Sequence, residues 1–180
     1  MRLFLCVIAL FTASVSAYPG AGAASNDPAV ARFIQLSRPQ PLENAAFVGP
    51  NGQAVDLQQF RGQIVMINLW ATWCPPCVRE LPSLQHFRAD YANKGVVVVP
   101  VAVDSDPAVV MPFLQELGLP SMQTYFDNQN SIGEVLPADL IPATYILDQN
   151  GQLVAFVRSF VDWDHPAVRK LVDGYLVATP

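Results

Sequence analysis

Seven residues, Ile64-Val65-Met66-Ile67-Asn68-Leu69-Trp70, all apolar except Asn68, lead through Ala71-Thr72 into Trp73-Cys74-Pro75-Pro76-Cys77 and then into a helix-forming run. The first stretch is partly β-branched and predicts a central strand covered on both faces. The run from Val78 to Tyr91 predicts a helix. Cys74 therefore falls where a strand hands over to a helix, near backbone N–H groups without intrahelical partners and the positive end of the helix dipole. With Cys74 as the cap, Pro75 and Pro76 fill the first two helical positions, where a missing N–H costs little and a fixed φ suits the helix. The Cys77 N–H is then the nearest donor to the Cys74 sulfur, which caps as a serine or aspartate oxygen does. A thiol so placed is expected to titrate below the free value of about 8.5. Cys77, one turn further in, is expected to be more buried and to act as the resolving thiol.

Two thiols fall short of the four N or S ligands of a structural zinc site. The other candidates, Cys6, His86 and His165, lack paired ligand spacing, so no metal is expected. A purely structural bridge is the alternative, but so short a loop constrains the unfolded chain little.

The compartment is read from the first residues. Arg2 precedes an apolar stretch from Leu3 to Phe11, and Val15-Ser16-Ala17 gives a small-residue cleavage signature before Tyr18. The fifteen residues from Leu3 to Ala17 include Thr12, Ser14 and Ser16 and are shorter than the roughly twenty needed to span a bilayer. Residues 1–17 are expected to be a signal peptide, an uncleaved membrane anchor being the alternative. Residues 18–41, with the breaker-rich stretch Ala21 to Pro28, read as a flexible leader, and 42–180 as one domain. Cleavage removes Cys6, leaving one dithiol in an exported and therefore periplasmic chain, where a free pair needs an electron donor or acceptor.

The mature length, 180 − 17 = 163 residues, suits a single domain, and 52% hydrophobic content suffices for its core. Without Arg2, nine basic residues stand against fifteen acidic, a net of 9 − 15 = −6 with no basic run, which excludes ordinary nucleic-acid binding.

Along the domain, Ala45 to Val48 and Ala54 to Leu57 flank Asn51-Gly52 and predict an N-terminal β-hairpin. Val96 to Val103 is a second buried strand, and Asp104-Ser105-Asp106-Pro107 opens a helix to Leu117 that contains Pro112. Pro82 is expected to kink the Cys helix. Thr124 to Phe126 reads as a short strand, and Thr144 to Leu147 with Leu153 to Arg158 as a hairpin across Asp148-Gln149-Asn150-Gly151. Asp164 and Pro166 open a last helix through about Leu176. The order is that of an α/β fold.

The stretch Asn68-Leu69-Trp70-Ala71-Thr72-Trp73-Cys74-Pro75-Pro76-Cys77-Val78-Arg79-Glu80-Leu81-Pro82 resembles the exported TlpA-like or ResA-like branch of the thioredoxin superfamily. Ile141-Pro142-Ala143-Thr144-Tyr145-Ile146-Leu147-Asp148 is similar to that branch as well, and the likeness runs from about Leu42 to Leu176. It implies a thioredoxin-like fold with a central mixed sheet flanked by helices. It further implies that Pro142 is a cis-proline beside the disulfide, with Ile141 facing the substrate and Trp73 and Pro76 lining its path. An ordinary trans proline is the alternative.

The resemblance also places Glu80 near the thiols, where a carboxylate shifts their titration or passes a proton. A solvated helix acid is the alternative. Asn68 stands where cytosolic thioredoxins carry an aspartate, which leaves Glu80 as the acid to test. Trp70 and Trp73 are expected to form an apolar rim.

The implied activity is exported thiol:disulfide exchange with no bound cofactor, because the dithiol itself carries two electrons. Exported proteins are the expected clients, in cytochrome c maturation or copper-site assembly, with a membrane thiol as electron donor. A peroxiredoxin signature would need Thr and Pro where Ala71 and Ile67 stand. A redox-inert binding module or Cu(I) chaperone is the alternative outside enzymes.

Overall fold

A computed structural model describes residues 27–177 apart from 105 and 128. The expected signal peptide lies outside the described residues. Twelve regular elements are β1 (Ile34–Pro41), β2 (Ala46–Val48), β3 (Ala54–Asp56), β4 (Ile64–Trp70), α1 (Pro75–Tyr91), β5 (Val96–Ala102), α2 (Val110–Glu116), β6 (Tyr125–Phe126), α3 (Ser131–Val135), β7 (Ala143–Leu147), β8 (Gln152–Val157) and α4 (Pro166–Val177). They build one mixed sheet in the order β1-β8-β7-β4-β5-β6-β2-β3. β4, β5 and β6 are mutually parallel in sequence, while β7 runs antiparallel to β4, and β8 to β7.

β4 occupies the residues expected of it, and all seven are buried. Its parity decides what each side chain meets, since neighbours on a strand point to opposite faces. Ile64, Met66 and Trp70 join the core formed with Leu81, Leu84 and Phe87 of α1, Val110 of α2 and Val168 of α4. Val65, Ile67 and Leu69 join the opposite core with Phe47, Ile132 and Tyr145. Asn68 shares the parity of Met66 and Trp70, so it faces α1.

The expected hairpins form. β2 and β3 pair around Gly52 at φ 79°, and Gly151 takes φ 76° in the turn between β7 and β8, a region that glycine enters without Cβ strain. Asp148 braces the second turn by accepting from the Asn150 and Gln152 N–H groups, each at 2.9 Å.

Three expectations need correction. Residues 34–41 are not leader: β1 pairs antiparallel with β8, so the domain begins upstream of residue 42 and the β2–β3 hairpin is not its first element. Pro39 and Pro41 conceal this strand in the sequence, yet an edge strand tolerates them because one row of its N–H groups faces solvent. The register also shifts between Gln35 and Gln40, where Pro39 lies. The helix after β5 is divided into a 3-10 turn at Pro107–Val109, capped by Asp106, and α2. Pro112 thus falls in the first turn of α2, where an N–H has no intrahelical acceptor. Ser131–Val135 forms a short helix that was not anticipated, and Asp127 caps it by accepting from Ser131 N and Ile132 N at 2.8 and 3.0 Å.

Candidate active site

Cys74 is the N-cap of α1, and Pro75 and Pro76 occupy its first positions. The Cys77 N–H donates to Cys74 Sγ at 3.3 Å, and the Val78 N–H closes the first turn on the Cys74 carbonyl at 3.0 Å. The two cysteines form a disulfide with Cα atoms 5.3 Å apart. Cys74 is 5% exposed and Cys77 1%, in the order expected of them.

The loop carrying Cys74 is fastened two residues upstream. Both carboxylate oxygens of Asp104, beyond the end of β5, accept from the Thr72 N–H at 3.2 Å, and one accepts from the Thr72 hydroxyl at 2.5 Å. Asp104 was read from sequence only as part of a helix start, because nothing local announces a contact across 32 positions. Replacing it (Asp104→Ala) is expected to cost about 1–3 kcal/mol, the range for losing charge-assisted bonds. Amide hydrogen exchange provides the check: Thr72 should lose protection in the variant, and unchanged protection would sink this role.

Trp73 is 66% exposed beside the disulfide, Pro75 is exposed and Pro76 half-buried. Trp70 does not share the rim. It is fully buried, and its indole N–H donates to Thr124 Oγ1 at 3.1 Å, whose hydroxyl passes on to the Pro100 carbonyl. Even parity on β4 sends Trp70 into the core, leaving Trp73 as the exposed indole.

The Ile141–Pro142 bond is cis. Ala143 pairs with Leu69 across β7 and β4, so the register carries Pro142 to the end of β4 from which the Cys74 loop departs. Ile141 is half-buried against both cores, and Leu140 before it is 51% exposed. The preceding turn is tied down twice: the Tyr145 hydroxyl donates to the Pro137 carbonyl, and Arg158 donates to Asp139 at 2.5 Å.

Glu80 is not a solvated helix acid. It lies on the buried stripe of α1 with Cys77, Leu81, Leu84 and Phe87, one turn beyond Cys77, and is 1% exposed. Its Oε1 accepts from Asn68 Nδ2 at 2.7 Å and from the Trp163 indole at 3.0 Å, and its Oε2 from the Val161 N–H at 2.9 Å. Burial pushes the carboxyl up from an ordinary 4.5 to about 7, while the bonds from Trp163, Val161 and Asn68 keep it from rising further. Asn68 also donates to Thr144 Oγ1 at 2.9 Å, and its own Oδ1 is buried without a partner. Asn68 thus serves the carboxylate as a donor, where an aspartate would add a second buried charge. The helical period alone places Glu80 beside Leu81 on the inward face. Its donors from the 161–163 segment carry no motif and are not visible in the sequence.

No group of three or more metal-ligating side chains clusters among the described residues. The site is a closed dithiol at a helix N-terminus, with a buried carboxyl that titrates near neutrality one turn away. Such an arrangement is chemically able to exchange disulfides, and a carboxyl so placed is able to accept or return a proton.

The Redoxin family profile matches residues 37–171. The chain is 33% identical over 122 residues to the thiol-disulfide oxidoreductase ResA of Oceanobacillus iheyensis, covering 68% of this chain and 60% of that protein. The ResA of Bacillus anthracis is 27% identical over 121 residues, covering 67% of this chain and 68% of its own. Among solved structures, a Chlorobium tepidum chain assigned as thiol:disulfide interchange protein DsbE superposes with a TM-score of 0.69 at 26% identity, covering 78% of this chain and 99% of that one. The match over residues 37–171 spans β4, the disulfide and the cis-proline, and it makes this chain a member of the Redoxin family in the thioredoxin superfamily.

Proposed function

We propose that this protein is an exported thiol:disulfide oxidoreductase that reduces disulfides in other exported proteins. The observation that carries the reading is the Cys74–Cys77 disulfide at the N-terminus of α1, with the Cys77 N–H on Cys74 Sγ. The ResA relatives and the DsbE-like structure support it.

In the reduced protein the Cys74 thiolate, favoured by the helix terminus, attacks one sulfur of a client disulfide. A bond forms between Cys74 and that sulfur, and the other client sulfur leaves as thiolate. Cys77 gives its proton to the Glu80 carboxylate and attacks the Cys74 sulfur. The second client thiolate departs and the Cys74–Cys77 bond closes. Two electrons have passed from the dithiol to the client, and the dithiol is the only redox group the sequence of steps uses. A membrane thiol donor restores it by the same exchange in reverse. Trp73, Pro76, Ile141 and the cis Pro142 line the approach to Cys74, and the client lies along them as an extended segment. Haem-binding cysteines of apocytochrome c and copper-site assembly proteins are the client class we favour.

Removing the resolving thiol freezes the intermediate. With Cys77→Ala expressed in its own compartment, mass spectrometry is expected to find client proteins disulfide-linked to Cys74. Capture of cytochrome or copper-assembly proteins supports the client class. If nothing is captured while Cys74 stays free and reactive toward alkylating agents, the exchange reading is overturned and a binding module takes its place.

A further inference from the structure

The segment after β8 lies outside the exchange steps, yet it ties to one turn of α1 three times, once through the Val161 N–H on Glu80 Oε2 and twice through Trp163. The Trp163 N–H donates to Ser83 Oγ at 3.2 Å, and the Ser83 hydroxyl donates to the Glu80 carbonyl at 2.9 Å. The Trp163 indole N–H meets the Glu80 carboxylate at 3.0 Å. Trp163 is fully buried, and its ring is held edge-on by Phe33 at 6.2 Å and by Phe87 of α1 at 5.6 Å. An indole wedged between two rings has little freedom to follow a carboxylate that moves. It therefore fixes where the carboxylate rests.

We propose that Trp163 is a positioning residue: its indole N–H orients the Glu80 carboxylate and favours the ionised form, and so sets how readily Glu80 takes the Cys77 proton. The inference rests on the exchange reading above.

The other groups around the carboxylate leave this donor a clear role. Asn68 of β4, Thr144 of β7 and the Val161 N–H are neutral, and Cys77 is the titratable neighbour on α1 itself. The nearby ionic groups are engaged elsewhere. Arg79 lies over the Phe160 ring at 4.4 Å, Asp162 accepts from the Asp164 N–H at 3.1 Å, and Arg158 holds Asp139. A buried carboxylate loses solvation and depends on its donors, so deleting one favours the protonated acid.

The test uses the full-length protein with residue 163 replaced by the tryptophan analogue in which sulfur stands in place of the indole N–H, which keeps the ring and removes only the donor. Trp163→Phe is the second variant. The Glu80 side-chain carbon is followed by NMR against pH in the oxidised protein, identified by its loss in Glu80→Gln, and the pH profile of the Cys77 resolving step is measured in parallel. The expected result is a roughly tenfold gain in Glu80 proton affinity, about one pH unit upward, and a resolving profile that moves in the same direction. In the Glu80→Gln background the same change at position 163 should leave the profile where it is. An unmoved Glu80 titration in the analogue overturns the positioning role even where Glu80→Gln alters the profile, in which case the reading of Glu80 stands. A profile indifferent to Glu80→Gln in the otherwise native protein overturns both.

Discussion

Cys74→Ser is expected to lower disulfide exchange by three orders of magnitude or more, because a hydroxyl at the cap of α1 neither ionises near neutrality nor forms the mixed disulfide. The prereduced protein is mixed with a peptide containing one internal disulfide, and the products are followed by mass spectrometry. The native dithiol should deliver one reduced peptide, Cys77→Ala one stable adduct, and Cys74→Ser neither. The asymmetry follows from the turn geometry, in which Cys74 Sγ accepts the Cys77 N–H at the helix end while Cys77 sits one turn inside under the core. Should Cys74→Ser keep a tenth of the native rate, Cys77 is the nucleophile and the assignment of roles is reversed.

The second large effect concerns stability. Glu80 titrates at about 7 in the folded oxidised protein against an ordinary 4.5. A raised acid binds its proton more tightly when folded, so its contribution is fully present below about pH 4.5 and is lost as pH rises through about 7. The difference amounts to roughly 3 kcal/mol across that window. Urea unfolding of the oxidised protein is therefore expected to show falling stability between pH 5 and pH 8, and Glu80→Gln is expected to remove that slope. The slope is the quantity to compare, because a glutamine turns an amide N–H toward Val161 N–H and loses about 1 kcal/mol at every pH. Parallel slopes in the two proteins would mean that Glu80 does not titrate in this range.

The parts of the fold that local chemistry dictates were legible. β4 begins and ends where its apolar run does, Pro75 and Pro76 stand at the head of α1, and Asn51-Gly52 and Asn150-Gly151 mark real hairpins. The cis bond before Pro142 was legible through resemblance, not through composition. What the chain hides is whatever depends on distant partners. β1 is mostly polar, contains prolines and buries none of its eight residues fully, so no period-2 pattern betrays it. Trp70 looked like a rim residue until the parity of β4 turned it inward. Glu80 was singled out by resemblance and its inward position follows the helical period, but its donors come from positions 12, 81 and 83 residues away and no local pattern shows them.

β1 has a geometric consequence of its own. β4 ends at the disulfide, β7 returns from there, β8 comes back, and β1 runs antiparallel to β8 with Ile34 opposite Phe156 and Pro41 opposite Gln152. The described chain therefore enters the domain at the thiol end of the sheet, with Arg32 donating to Ser159 and Phe33 packed on Trp163. Its last helix leaves toward the opposite end, where Leu176 approaches Gly95 at the start of β5. A protein held by its N-terminal side is held at its reactive pole, and one held by its C-terminal side presents that pole outward. The two ways of attaching this molecule to a surface, a resin or a fusion partner are thus not interchangeable for any reaction at Cys74.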